Sequence, residues 1–119
     1  MREIITTRSQ AITNRINSLE DFTAILSNSS GRYVVGTHNI FQGKNTNTTH
    51  DILAKVTDCI GSDKYDSIGG WKDPKTGIYH VDANTHFADL KTACDFARGR
   101  GEVAIYDLVD KETVVINYK

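Results

Sequence analysis

The sequence predicts an α+β fold: a single domain with a small, mainly antiparallel sheet and two to four helices. Three observations carry this. Short β-prone runs close in pairs around turn residues, with Pro74 and Gly77 in one turn and Asp110 and Lys111 in the other. Apolar residues recur at helical spacing in the segments between. Strands and long helices do not alternate in the manner of a parallel sheet.

The region 1–30 is expected to be helical. Ile12, Ile16 and Leu19 stand at i, i+4 and i+7. Ser18 resembles an N-cap followed by acidic Glu20 and Asp21, and Leu19, Phe22, Ile25 and Leu26 form a second stripe that Asn28 to Gly31 would end. This reads as one broken helix or two short ones over 8–28, with Ile4 to Thr7 β-prone but short.

Residues 32–38 make a strand through Tyr33, Val34, Val35 and Thr37, with Ile40 and Phe41 as an extension. The polar stretch 43–49 is a solvated connector or a loop that covers a ligand. Residues 50–60 are helical, capped by Thr48 or Thr49 and stopped at Gly61. Residues 66–119 are expected to form one compact unit of strand pair, helix and strand pair. Its parts are the Trp71 hairpin ending near Asp82, a helix over 89–98 with Leu90, Ala93, Cys94 and Ala97 on one face, and strands over 103–107 and 113–118.

At 119 residues the chain can bury a core without staples. Lys and Arg number 14 and Asp and Glu 15, a balance that gives no global attraction to nucleic acid or an anionic membrane. Cys59 and Cys94 lie in different helices with no CxxC pairing and are expected as buried, reduced thiols, which favours the cytoplasm. The first ten residues lack the apolar run of a signal peptide, and no stretch has the length of a membrane span.

The candidate ligand-binding residues are Trp71, Asn84, Phe87, Arg98, Arg100 and Asp107. Trp71 after paired glycines can stack on a planar base, a contact of about 1–3 kcal/mol; packing beside Tyr79 and Phe87 in the core is its ordinary use. Arg98 and Arg100 fit phosphate as guanidinium forks, or simply complement a helix C-terminus. Asp107 can accept from a ribose hydroxyl or an exocyclic amine, or cap the turn that follows. His80 and Asp82 share a strand face, and with His86 in the loop beyond they make an unspecific metal set, so no metal or other cofactor is expected. Cys94 on an apolar face is a poor nucleophile, and the paired His-x-Thr motifs of a phosphodiesterase are absent from the sequence. No enzyme is expected.

One pattern goes further. It comprises Gly69-Gly70-Trp71-Lys72-Asp73, Thr76-Gly77-Ile78-Tyr79-His80-Val81-Asp82, the Ala-rich helix from Leu90 to Gly101, and Val103-Ala104-Ile105-Tyr106-Asp107-Leu108. Over roughly residues 68–115 it resembles phage anti-defence proteins, in particular the first Thoeris anti-defence family. The resemblance implies an oligomeric protein that sequesters cyclic ADP-ribose isomers and related cyclic nucleotides without cleaving them. No family binding motif matches position by position, so no site residue is carried over.

Three functions follow as expectations. The first is a cyclic-nucleotide sponge, a homo-oligomer of two or more copies. The second is an inhibitor that binds a host nuclease or defence complex through its surface. The third, weaker, is a small hydrolase using His80, Asp82 and His86.

Overall fold

The computed structural model describes residues 2–26, 31–44, 49–62, 64–102 and 104–116. Three helices and six strands follow in the order α1 (Arg2–Asn17), β1 (Phe22–Ile25), β2 (Tyr33–Gly43), α2 (Thr49–Gly61), β3 (Ser67–Lys72), β4 (Tyr79–Phe87), α3 (Leu90–Gly99), β5 (Ala104–Asp107) and β6 (Glu112–Val115). The fold is α+β. All strands join one sheet in the order β1-β3-β4-β2-β5-β6, and every recorded pairing is antiparallel.

Residues 66–119 do not form a unit of their own, contrary to expectation. β2 lies between the β3–β4 hairpin and the β5–β6 hairpin and pairs with both. The physical cause is length and burial. β2 spans eleven residues, with Val34, Val35 and Ile40 buried, so it needs neighbours on both sides. Bulges between Gly36 and His38 and between Asn39 and Phe41 bend it.

The second N-terminal stripe is also corrected. Phe22 to Ile25 is a strand, not a helix. Leu19 takes a positive φ of 54° and ends the turn after α1, so the Ser18 cap does not start a new helix. Phe22 and Ala24 then alternate toward the core, and Phe22 lies over Gly70, where a side chain would overlap its ring. Ile4 to Thr7, β-prone in sequence, belong to α1. Asn28 to Ser30, the 45–48 part of the polar loop and the Thr48 cap lie outside the described residues.

The pairing register places Phe22, Ala24, Ile68, Tyr79, Val81 and Ala83 on one face of the sheet. There they pack against Ile12 and Ile16 of α1 and Ile52, Val56 and Cys59 of α2. Tyr33, Val35, Phe87 and Ile105 continue the same face and pack against Ala93 and Ala97 of α3. All three helices therefore cover one face. Asp89 caps α3 through the Thr92 amide, 2.9 Å away. The other face of the sheet carries no helix among the described residues.

Candidate functional site

The helix-free face is assembled by register. Trp71 pairs with His80, Gly69 with Asp82, and Ser67 with Asn84; Asn39 pairs with Asp82 and Val34 with His86. These residues therefore share that face, joined by Tyr106 opposite Val34. The centre is polar, and the rim carries Ile25, Trp71, Tyr106 and Val115, all exposed. Gly36 and Gly69 flank Asp82 and Asn84, and their missing side chains make room for those two, most tightly where the Asn84 amide lies over Gly69.

Trp71 is 47% exposed and does not pack in the core beside Tyr79 and Phe87. It stacks on the His80 ring, centroids 4.8 Å apart and planes 17° apart. The reason is strand parity: Tyr79 points to the helix side, so its pair partner's neighbour Trp71 points to the bare side. One indole face is held by imidazole, and the side chain remains half-exposed.

Asp82 accepts from the Asn39 amide at 3.1 Å. Burial pushes its carboxyl up, while the Asn39 bond and the neighbouring His80 and His38 oppose the shift. Burial also pushes Glu102 up, with the Asp82 charge adding to it and Arg100 opposing. Two carboxylates thus share one neighbourhood near the β2 bulges.

Other expected site residues are engaged by partners of their own. Asn84 is buried and donates to Ser67 Oγ at 3.1 Å. β4 runs on through Phe87, so His86 lies in a strand, not a loop. Its Nε2 lies 2.7 Å from Ser67 Oγ, its backbone N–H donates to Asp66 Oδ2, and burial lowers its pKa. Phe87 is half-buried against the core under α3, and its ring meets the exposed Phe96 ring. Arg98 pairs with Asp95 at 3.2 Å on the outer surface of α3. Arg100 donates to the Thr37 carbonyl on β2. Asp107 is buried and accepts both Arg32 Nε and Nη2 at 2.7 Å, besides capping Val109 and Asp110. The recorded side-chain contacts of Arg98 and Arg100 are thus with Asp95 and Thr37, and those of Trp71 and Phe87 with His80 and Phe96.

Ser67 and Asn39 were missed from sequence. The signal for Ser67 is a small hydroxyl before Ile68-Gly69-Gly70; for Asn39 there is none, because a bulge two residues earlier sets its face. The Ser67–His86 pair has nucleophile and base at bonding distance, but Ser67 is fully buried and already accepts from Asn84. No three His, Cys, Asp or Glu side chains gather as a metal-ion set among the described residues. No helix there is long and apolar enough to cross a membrane. Comparison with protein-family models, curated proteins and solved structures finds no match.

Proposed function

We propose that the chain is a non-catalytic binding protein that captures a nucleotide-like ligand on the bare face of its sheet, as a phage protein sequestering a cyclic nucleotide immune signal would. The observation that carries this is the Trp71–His80 stack on the face that also holds Asp82 and Asn39. An indole presents a sequence-tolerant stacking surface to a base, worth about 1–3 kcal/mol. A carboxylate and a carboxamide next to it accept from and donate to the edge of that base. The site differs from the one expected from sequence: Trp71 stays, Asp82 and Asn39 enter, and Asn84, Phe87, Arg98, Arg100 and Asp107 leave. The acidic neighbourhood of Asp82 and Glu102 turns the phosphates away from the face centre.

A second reading rests on a separate observation. Ile25, Trp71, Tyr106 and Val115 expose apolar surface around that face, as a protein-binding inhibitor would. Native mass spectrometry with a mixture of cyclic ADP-ribose isomers and cyclic dinucleotides separates the two. The expected result is one retained ligand, released with unchanged mass and lost in Trp71→Ala and Asp82→Ala. Retention of none favours the inhibitor. A cleaved product makes the protein an enzyme.

A further inference from the structure

α1 and β1 enclose a shallow groove of about 290 Å³, lined by Arg8, Ala11, Ile12, Arg15, Thr23, Ala24 and Ile25. β1 is an edge strand that pairs only with β3 among the described residues. The Leu26 amide bonds the Asp66 carbonyl at 2.8 Å, so Leu26, Ala24 and Phe22 turn their backbone groups toward β3. Thr23 and Ile25 turn theirs outward. Arg8 Nη2 donates to that outward Ile25 carbonyl at 2.8 Å and so plugs the edge. Arg15 stands seven residues on, about two helical turns further along the same side of α1. The groove floor is apolar, its wall is cationic, and no carboxylate lines it among the described residues.

We propose that this groove docks an extended acidic segment of a partner protein, added as a further strand beside β1. Main-chain bonds to Thr23 and Ile25 supply register, and every second side chain faces α1, where it meets the apolar floor or an arginine. A carboxylate of the incoming strand takes the Arg8 guanidinium, and the released Ile25 carbonyl accepts an N–H of that strand. The bond that blunts the edge is thereby exchanged rather than lost. A second copy of β1 is a poor occupant, because it would bring two arginine pairs together. This site is separate from Trp71 and does not depend on the nucleotide reading.

The test is selection of a random display library of peptides of about ten residues, the usual upper length of a strand, on the full chain. Expected winners carry Asp or Glu together with apolar residues at alternate positions, so that both share one face of the strand. A synthetic winner should lose affinity by about tenfold or more on Arg15→Glu, and also on a central proline in the peptide. Its binding should weaken with salt and slow amide exchange at Thr23 and Ile25. Trp71→Ala should leave it unchanged. Winners without Asp or Glu on that face, or equal binding to wild type and Arg15→Glu, overturn the proposal, as does Arg15-dependent self-association through β6. Should Arg15→Glu not fold, Arg15→Gln applies the same criterion.

Discussion

Asp107 grips Arg32 with both carboxylate oxygens, each 2.7 Å from a guanidinium nitrogen, across 75 residues of chain. The fork ties the start of β2 to the end of β5, and Arg32 also reaches Asp110 at 2.9 Å. It fixes the β5–β6 hairpin to the rest of the sheet where only Tyr33 and Val34 pair with β5.

That bond should govern acid stability. The arginine hydrogen bond holds the Asp107 carboxyl down to about 2, from an ordinary 3.8. Its folded pKa lies below the unfolded one, so its stabilisation is present above pH 3.8 and is lost as pH falls toward 2. Asp107→Asn should lower Tm at neutral pH by several degrees and flatten this acid limb. Thermal melts of both proteins between pH 2 and 7 check it; parallel curves would rule it out.

Gly70 should tolerate no side chain. A Cβ there overlaps the Tyr79 hydroxyl and the Phe22 ring. That hydroxyl donates to the Glu20 carbonyl at 2.6 Å, and burial raises its pKa so that it stays a donor. Gly70→Ala should cost about 1–3 kcal/mol in denaturant melts, as overpacking does. The Tyr79→Phe loss should be smaller, about 0.5–1.5 kcal/mol.

Asp82 should trade stability for binding. Burial raises its pKa, so its charge destabilises the folded state at neutral pH, and this cost fades as pH falls toward 3.8. Asp82→Asn should therefore melt higher than wild type at pH 7 and converge with it on acidification. In the same variant ligand affinity should fall, because the charge and one of the two acceptor oxygens are replaced by a donor NH₂. Trp71 is the single tryptophan, so its emission reports the titration directly. A variant that is both stabler and equally tight would remove Asp82 from the site.

Cys59 should be chemically silent. It is 5% exposed in the core under α2, and burial raises its thiol pKa. An aromatic disulfide reagent should modify Cys94 in the native protein and Cys59 only on unfolding. Cys59→Ala should cost about 1 kcal/mol from lost burial. Rapid native modification of both thiols would contradict this packing.

Much of the secondary structure was legible because local chemistry sets it. Ile52, Leu53, Val56 and Ile60 mark α2, and Ala93 and Ala97 mark the buried side of α3. The Asp73–Gly77 turn forms as its residues require, with the Gly77 amide on the Asp73 carbonyl at 2.8 Å and φ of 74° at Gly77. Phe22 to Ile25 is a strand that sequence does not distinguish from a helix, because four residues satisfy helical spacing and alternation alike. Trp71 reads from sequence either as a stacking ring or as a core ring, because hydrophobicity does not reveal which face of a strand is covered.

The sequence by itself determined the α+β class, α2 and α3, both C-terminal hairpins and the shared face of His80 and Asp82. These rest on periodicity, capping and turn residues within a few positions of one another. Only the tertiary structure decided that β2 lies between the hairpins, that all helices cover one face, and that Asp107 belongs to Arg32. Those outcomes join residues far apart in the chain. They depend on register, bulges and burial, which no local window contains.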